Sequence, residues 1–558
     1  MLYTRAPHAH LRTSSSTPQR YGRRASCRVP PILRSSDDVL LEILESLDGR
    51  DIVMCKAVCR RLKKVVSETV SLQYKVELFS SGMLDSQHGP HTLTLAERLA
   101  RLRSYNAAWR CLEWTTCGEV LPHLQDYSHS ADVATSASIY SRRAEDSMQD
   151  TIMQQIPSQL RGIPERHTSL LIPAQISDIW SNVYTDAAQD LYVIVVGAYL
   201  GFRCFMRSIS SGEDHPLGCG ILEVITSLPP RPGFQTSVDI CNAQILITIC
   251  GRTSAAFEII LGNWQSGAVL SKQTTSERCG SYVNNGHPKA YFLDDDHILL
   301  EHLEPDACDC GHSSIQVYTI DSDDGLGATP SYTFVLPDFM QILYPPHRLS
   351  PLSKAWMAPR PAVDTGHFHP NPADRLLTVI LSVPADRGQF DEHYVDIPLH
   401  TLRSYVAAHP GGVVPWAAWG PRGARATRVR VPRGLSAVYR MNEQGFVGGL
   451  RRLLLCPAAD GAPMILLLDY HPQRIARGRL CAEGALEAGA EMLAALAIGG
   501  VETALPCLAS AAPAPQALAE ILDGFDQCGI RLCEDGMVFL DNPSVWVSAI
   551  KVAKVFSI

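Results

Sequence analysis

The sequence predicts a multi-domain α+β protein, in which a small N-terminal all-α helical module precedes a large, mainly β domain. The 558 residues are more than one hydrophobic core usually serves, so two or more domains are expected. Between residues 37 and 78 the apolar residues recur at helical spacing. After Leu112 the pattern changes to short β-branched and aromatic runs, interrupted by Gly, Pro, Asp and Asn.

The first 36 residues differ in charge from the rest of the chain. They contain seven Arg and no Asp or Glu, whereas the remainder is mildly acidic. We expect residues 1–34 to be a disordered basic leader, because Pro and Arg are frequent and no apolar helical stripe is present. A wrongly chosen upstream start would give the same pattern, and a mitochondrial transit peptide is the open alternative for an Arg-rich, Ser-rich segment without acids.

The helical module is expected to contain two short amphipathic helices. Ser36 or Asp37 is placed to cap the first helix, Gly49 to end it in a left-handed conformation, and Asp51 to cap the second. So small a module rarely buries enough surface to fold alone, so we expect it to pack on the rest of the chain or on a partner. The first apolar stripe comprises Val39, Leu40, Ile43, Leu44 and Leu47, and the second comprises Cys55, Val58, Cys59, Leu62, Val65 and Val66.

The stretch DDVLLEILESLDGRDIVMCKAVCRRLKKVVSETVSLQYKVEL resembles the F-box, in which a Leu-Pro start, an ILxxL core, an Asp-aliphatic corner, VCRxW and a final Leu-Trp recur in that order. The resemblance covers residues 35–78. Ser35 and Ser36 replace the Leu-Pro pair, and Leu62 and Gln73 replace the two Trp. The first departure removes apolar contact area at one edge of the module. The resemblance implies a surface for a Skp adaptor formed by Val39, Leu40, Ile43, Leu44, Leu47, Ile52, Cys55, Val58, Cys59 and Leu62.

Residues 79–115 are predicted to be a helical linker that braces the F-box against the rest of the chain. Thr94 and Glu97 have capping-box spacing. Trp109 and Trp114 are expected in a core or at the domain junction. One face of this helix carries Leu95, Leu99, Leu102, Tyr105 or Asn106, and Trp109.

Residues 116–558 are predicted to be a β-rich substrate-binding domain. The runs RCFMRSISSGEDHPL, AFEIILGNWQSGAVL and IQVYTIDSDDGLGA share a strand, a polar corner and a second strand, and their turns near Ser211, Ser266 and Asp323 lie about 55 residues apart. This spacing favours an irregular β-propeller, with a β-sandwich as the alternative.

Further along the chain, LLTVILSV, EHYVDIPLHTL and MILLLDYHPQRI are predicted strands. An Ala-rich region near residues 482–522 interrupts this pattern and is interpreted as an insertion, part helix or surface loop. PWAAWGPRGARATR, LLLDYHPQRIAR and GMVFLDN resemble segments in the β-rich C-terminal halves of fungal F-box proteins.

No catalytic centre, cofactor or metal is predicted. The 17 scattered cysteines fit buried reduced thiols, hence a reducing compartment. CDCGH, from Cys308 to His312, lacks the second ligand pair of a structural zinc site and is interpreted as a loop.

RGARATRVRVPR, from Arg422 to Arg433, is interpreted as a strand with a solvated basic face, with a phosphate or acidic-peptide site as the minority interpretation. No apolar run is long enough to cross a bilayer, so no membrane binding is expected. The body is acidic and the basic run has no interleaved aromatic residues, so no nucleic-acid binding is expected.

The resemblance implies the substrate-recognition subunit of a Skp-cullin-F-box ubiquitin ligase. The chain would bind the Skp adaptor, and through it a cullin-RING ligase, while the β-rich domain binds an unknown protein substrate in the cytoplasm, the nucleus or both. It would not itself be an enzyme. Two alternatives remain at this point: a non-catalytic β-scaffold with a degenerate F-box that joins no ligase, and an unrecognised enzyme.

Overall fold

The computed structural model describes most of the helical module and a large part of the β-rich region. The described residues are 31–86, 93–112, 115–120, 139–143, 150–155, 158–163, 166–171, 181–186, 189–198, 201–228, 235–250, 257–275, 290–302, 314–321, 325–327, 329–337, 347–349, 366–371, 374–384, 390–430, 447–457, 463–478, 484–497, 501, 503–514, 528–533, 536–541 and 553–557. Residues 1–30 of the predicted leader and the CDCGH segment lie outside these ranges.

The N-terminal module is helical, as predicted. A short 3₁₀ helix (Pro31–Arg34) precedes it, and further helices accompany the strands of the body. The α-helices are α1 (Asp37–Glu45), α2 (Gly49–Val58), α3 (Arg60–Glu68), α4 (Val70–Ser81), α5 (Leu95–Cys111), α6 (Leu399–Ala408), α7 (Trp416–Gly423), α8 (Pro472–Gly478) and α9 (Gly484–Ala495). Among the helices in the described ranges, none is both long and apolar enough to span a membrane.

Local capping sets where several of these helices begin. The Ser36 hydroxyl accepts a hydrogen bond from the Val39 amide at the start of α1, as predicted. Thr94 and Glu97 form the predicted capping box at the start of α5, where each side chain accepts from the other residue's backbone amide. Both signals depend only on neighbouring residues, which is why the sequence reveals them.

The predicted roles of Gly49 and Asp51 were wrong. Asp48 caps α2, because its Oδ1 accepts from the Asp51 amide at 2.8 Å, and Gly49 is the first residue of the helix rather than a left-handed terminator. Gly49 has a packing role instead. A Cβ built there would lie 2.4 Å from the Cβ of Phe79 and 2.7 Å from the carbonyl oxygen of Lys75, so a side chain would force α2 and α4 apart.

The second predicted helix is two helices in the structure. Cys59 adopts an extended conformation (φ −156°, ψ 162°), which ends α2 and caps α3. Cys59 has no strong conformational preference that would mark a break. Packing of α3 against the rest of the module therefore decides the kink, and a periodicity argument does not detect it.

The body is built mainly from antiparallel strands. Its strands are β1 (Met83–Asp85), β2 (Thr115–Val120), β3 (Ile139–Arg143), β4 (Asp150–Gln155), β5 (Arg166–Leu171), β6 (Ser181–Asp186), β7 (Leu191–Ala198), β8 (Gly201–Ser208), β9 (Ile221–Ile225), β10 (Gln235–Cys241), β11 (Gln244–Cys250), β12 (Phe257–Asn263), β13 (Ala268–Thr275), β14 (Ala290–Phe292), β15 (His297–His302), β16 (Ser314–Asp321), β17 (Gly325–Leu326), β18 (Tyr332–Val335), β19 (His347–Leu349), β20 (Phe368–Pro370), β21 (Leu376–Pro384), β22 (Phe390–Pro398), β23 (Gly412–Val414), β24 (Arg425–Arg430), β25 (Val447–Gly448), β26 (Arg451–Pro457), β27 (Pro463–Asp469), β28 (Leu508–Pro513), β29 (Cys528–Cys533), β30 (Gly536–Asp541) and β31 (Ala553–Ser557).

Most of these strands form sheets of three or four neighbours that are consecutive along the chain. We number them sheet I (β3–β5), II (β6–β9), III (β10–β13), IV (β14–β18 with β23), V (β19, β21, β22, β24), VI (β25–β28) and VII (β29–β31 with β2). In sheet VII the strand order is β2-β31-β30-β29, so the first strand after α5 pairs with the last strand. The three repeated runs occupy equivalent places, because each includes most of the third strand of a sheet: β8 in sheet II, β12 in sheet III and β16 in sheet IV.

Three predicted features of the C-terminal half need correction. The LHTL of EHYVDIPLHTL begins α6, and the HPQRI of MILLLDYHPQRI leads into α8, because each strand ends at a proline or just before one. The Ala-rich region holds α9 and also β28, which pairs along its length with β27. That part of the region belongs to sheet VI and does not interrupt the β structure.

Helix α4 belongs to two apolar cores at once. Its Leu72 and Val76 pack with α1, α2 and α3 in the core of the module. Its Tyr74 and Leu78 pack instead with α5 and with strands of sheets V and VI. The module is therefore joined to the body by a shared helix with two buried faces.

Candidate functional site

Four of the ten residues predicted for the adaptor surface lie inside the module. Leu40, Leu44, Ile52 and Leu62 are at most 9% exposed and pack with Val65, Val66, Leu72 and Val76. They hold the helices together, so a partner that docks on the module as it is folded here reaches other side chains.

Three of the predicted residues are exposed. Val39 and Ile43, one turn apart on α1, are 45% and 39% exposed, and Val58 at the end of α2 is 70% exposed. The remaining three, Leu47, Cys55 and Cys59, are half-buried against the module core.

The structure adds exposed apolar residues that the sequence reasoning missed. Met54 is 64% exposed and lies one helical turn before Val58, so the two share a face of α2. Ile32 and Val70 are 51% and 38% exposed. The spacing of Met54 and Val58 was the available signal for this face.

The helices of the module carry opposite charges. The exposed side of α1 has Asp37, Asp38, Glu42 and Glu45, and α3 has Arg60, Arg61, Lys63 and Lys64. Arg61 donates to Asp37 Oδ1 from Nε at 3.1 Å and from Nη2 at 2.6 Å, and Nη2 also donates to the Ser35 carbonyl at 2.6 Å. An exposed pair of this kind adds little stability, but it fixes the start of α1 against α3.

The end of α4 is tied to sheet VI. Arg474 of α8 donates from Nη1 to the Ser81 carbonyl at 2.6 Å, and its Nε lies 2.6 Å from Asp469 Oδ2. Although burial acts in the opposite direction, the charges of Arg474 and Arg451 hold the pKa of Asp469 below its usual value. Gly82 then ends α4 with φ +65°, where a Cβ would lie 2.8 Å from the His471 ring.

Strand β1 continues the attachment beyond α4. It pairs antiparallel with β20, from Met83 opposite Pro370 to Asp85 opposite Phe368. The Tyr74 hydroxyl donates to Asp85 Oδ1 at 2.8 Å, and burial together with this carboxylate raises the pKa of Tyr74. Strand β20 (Phe368–Pro370) therefore lies at the junction between the module and the body.

Helix α5 packs at the same junction. Its Leu99, Leu102, Tyr105 and Trp109 are buried, and the guanidinium carbon of Arg451 lies 4.6 Å from the Trp109 ring centroid. Trp109 is a junction residue, as expected, whereas Trp114 lies outside the described residues.

Two histidines lie at the β1–β20 pair: His369 is opposite Leu84 in the pair, and His367 immediately precedes β20. The Ser86 amide donates to the His367 carbonyl at 3.2 Å, and the His367 amide donates to the Arg161 carbonyl at 2.8 Å. Burial, and secondarily the charge of Arg161, lowers the pKa of His369 to about 4. Burial also lowers the pKa of His367. Both imidazoles are therefore neutral in the folded protein near pH 7.

We expect acid to weaken this junction. The pKa of His369 is lower in the folded chain than its unfolded value of about 6.5, so the unfolded chain binds the extra proton and stability is lost as pH falls from about 6.5 towards about 4. The loss approaches about 1.4 kcal/mol per pH unit within that window. Thermal unfolding of wild type and His369→Gln between pH 7 and pH 5 tests this: the variant should lose less stability on acidification. Identical pH dependence would contradict it.

The sequence predictions about the cysteine thiols and the basic run concern, in part, residues that the structure describes. Burial raises the pKa of Cys204 to about 12 and that of Cys507 to about 11, so these side chains are un-ionised thiols. The described part of the basic run forms the end of α7 and strand β24. In β24, Arg425 donates to the Leu505 carbonyl from Nε at 2.8 Å and from Nη2 at 2.6 Å. Within the described ranges, no group of three or more His, Cys, Asp or Glu side chains is arranged to hold a metal ion.

Comparison with known proteins gives one clear family match. The model of the F-box-like family matches residues 37–77. No curated protein is similar enough to match the sequence.

Among solved structures, the chain is similar to apo prolyl oligopeptidase B from Galerina marginata, with 10% identity over 50% of this chain and 32% of that one, and a TM-score of 0.23. It is also similar to a prolyl endopeptidase structure, with 10% identity over 74% and 60% of the two chains and a TM-score of 0.21. The chain spans about a third of the length of the oligopeptidase. Neither likeness bears on function.

Proposed function

We propose, because residues 37–77 form an F-box-like domain, that this chain is the substrate-recognition subunit of a Skp-cullin-F-box ubiquitin ligase. The module would bind the Skp adaptor, and through it a cullin-RING ligase, while the β-rich body binds a protein target in the cytoplasm, the nucleus or both. The chain would contribute proximity rather than catalysis. Holding a target lysine near the charged conjugating enzyme raises its effective concentration.

The observation that carries this proposal is a set of exposed apolar side chains on α1 and α2 of the module. Val39, Ile43, Met54 and Val58 remain at least 39% exposed although α4 and α5 attach the module firmly to the body. Clusters of exposed apolar side chains typically mark protein contact sites. None of these four side chains is part of the apolar core that joins α4 to the body.

The way the module is attached to the body also supports a role as a ligase receptor. Helix α4 is shared between the two cores, the Arg474 bond to Ser81 holds its end, and β1 extends the attachment as a strand. A rigid connection between the adaptor-binding module and the target-binding body would favour ubiquitin transfer, because proximity is effective only when the relative position of adaptor and target is fixed.

We propose further that sheets I–VII are the blades of a closed, irregular β-propeller. Two observations support this architecture. Strands of successive sheets contact each other, as with β10 against β6 and β14, and β25 against β21 and β29. The pairing of β2 with β31 completes the last sheet with the first strand after α5, as ring closure requires.

A cross-link tests the ring closure. Glu119 and Lys554 are opposite each other in the β2–β31 register, so their Cα atoms lie within the range that a disulfide spans. Glu119→Cys with Lys554→Cys should form a disulfide on mild oxidation, found by non-reducing peptide mapping. Glu119→Cys with Ala553→Cys, one residue out of register, is the matched control and should not. Absence of the first cross-link in folded protein would argue against closure.

The proposed function is tested by reconstitution. The full-length chain is co-expressed with a Skp adaptor, a cullin and a RING protein, and the complex is isolated by size-exclusion chromatography. We expect a stoichiometric complex that supports ubiquitin transfer to a bound protein. A chain that stays apart from the adaptor, yet holds other stable partners, would favour the scaffold alternative. Turnover of a small molecule would require the enzyme alternative.

A further inference from the structure

Lysine is unevenly distributed between the two parts of the chain. Residues 37–78 contain four Lys and three Arg, whereas residues 116–558 of the body contain five Lys and 26 Arg. The body has no Lys before residue 272 and none between residues 355 and 550. A preference for Arg throughout the chain would give similar ratios in both parts. The scarcity of Lys is therefore a property of the body.

Side-chain exposure shows the same contrast. Lys63 and Lys64, on α3 of the module, are exposed. Among the body residues whose side chains the structure describes, Lys272 is the single lysine, and its side chain is 34% exposed. Its Nζ donates to the Ile225 carbonyl at 3.4 Å and lies 4.0 Å from Oε1 of the fully buried Glu258. This amine is therefore held against two acceptors rather than free in solvent.

Arginine occupies exposed cationic positions on the body. Arg203 of β8, Arg422 of α7 and Arg428 of β24 are all exposed. A guanidinium carries the same positive charge as an ammonium, but it stays protonated in proteins and so has no free electron pair for nucleophilic attack. The surface of the body thus has positive charge with few amines.

Only one of these two cations can accept ubiquitin. The deprotonated Nζ of a lysine attacks the carbonyl carbon of the thioester that links ubiquitin to a cysteine of the conjugating enzyme. An isopeptide N–C bond forms, the C–S bond breaks, and the cysteine leaves as a thiolate that takes up the proton released by the amine. A lysine on the receptor is held near that enzyme whether or not a target is bound. Each exposed amine on the body would therefore compete with the target.

We propose that the body carries arginine in place of lysine so that ubiquitin passes to the bound target and not to the receptor itself. This rests on the proposed function and deepens it, because it names what makes the target, rather than the receptor, the acceptor. The selection lies in the supply of nucleophiles on the receptor surface. It needs no closed site and no movement induced by the target.

Returning lysine to the body tests the inference. A triple variant combines Arg203→Lys, Arg422→Lys and Arg428→Lys, which keeps the charge at each position. The full-length chain is assembled with a Skp adaptor, a cullin, a RING protein and a conjugating enzyme, without any target, and modified lysines are mapped by mass spectrometry of tryptic peptides. We expect ubiquitin on the introduced lysines and at least about twice the self-modification of wild type, because the body then has three exposed amines. Glutamine at the same three positions is the matched control and should leave self-modification at the wild-type level.

Two results would overturn the inference. One is the absence of ubiquitin from the introduced lysines in a reaction whose free ubiquitin chains show that the conjugating enzyme is active. The other is wild-type self-modification on body lysines equal to that of the triple variant. A wild-type chain that does not bind the adaptor would instead refute the proposed function. The same comparison is then made with each chain fused to the adaptor, which restores proximity without the module's contact and keeps the two failures distinguishable.

Discussion

Replacing Val39 with Asp and Val58 with Lys in one chain is expected to lower affinity for a Skp adaptor at least about a hundredfold. Fully burying an aliphatic side chain contributes roughly 1.5 to 3 kcal/mol, and an unpaired charge at the same place adds desolvation cost. About 2.7 kcal/mol is a hundredfold in affinity. Binding is measured by calorimetry with purified adaptor.

The two substitutions are chosen to leave the module folded. Val39 and Val58 are 45% and 70% exposed, so little packing is lost in the free chain. Val39 lies in the first turn of α1, where an acid is favourable, and Val58 is the last residue of α2, where a cation is favourable. Val413→Lys on the body is the control and should keep full affinity. Wild-type affinity in the double variant would show that this face does not bind the adaptor.

A substitution at Leu44 would not make the same test. Leu44 is 2% exposed and packs inside the module, so Leu44→Asp would bury an unpaired carboxylate and unfold the helices. Because α4 belongs to both cores, the damage would also reach the junction with the body. Loss of adaptor binding in that variant would report on folding rather than on contact.

This distinction also marks how far the sequence alone could go in the module. Helical spacing placed Leu40, Leu44 and Val39 on one stripe, because all three are apolar and recur at the helical period. An apolar side chain that packs in the module core and an apolar side chain that binds a partner can be of the same residue type, so residue type does not distinguish them. Only the packing of α2, α3 and α4 against α1 separates them, and those contacts come from distant residues.

In the body, short stretches of sequence were sufficient to predict a local turn, but the sequence did not predict which distant strands pair. The turn after β12, near Ser266, is determined by a short stretch of sequence and is present in the structure. The pairing of β2 with β31 joins the two ends of the body, and β1 with β20 joins the module to the body by residues far apart in the chain. None of these four strands contains a sequence motif that identifies its pairing partner, so the sequence could not predict the two pairings.

Replacing Arg452 with Met is expected to destabilise the body by about 3 to 5 kcal/mol, the usual effect of removing one partner from a buried ion pair. Arg452 and Asp396 have side chains 1% and 0% exposed, with Nη1 and Oδ2 2.8 Å apart. Thr378 and Tyr470 also donate to this carboxylate, and the Arg452 guanidinium lies 3.6 Å from the Tyr394 ring centroid. The network joins β21 and β22 of sheet V to β26 of sheet VI.

Met matches much of the length of the Arg side chain but leaves Asp396 charged, buried and short of its cation, which is why the loss should be large. Arg203→Met is the matched control, because Arg203 forms a comparable pair with Glu223 at 3.1 Å while both side chains are more than half exposed. Solvent screens that pair, so its loss should change the free energy of unfolding by no more than about 0.5 kcal/mol. Urea unfolding followed by tryptophan fluorescence measures both variants. Equal effects would mean that the Asp396 network adds no more than a surface pair, and that the contact between sheets V and VI depends on apolar packing alone.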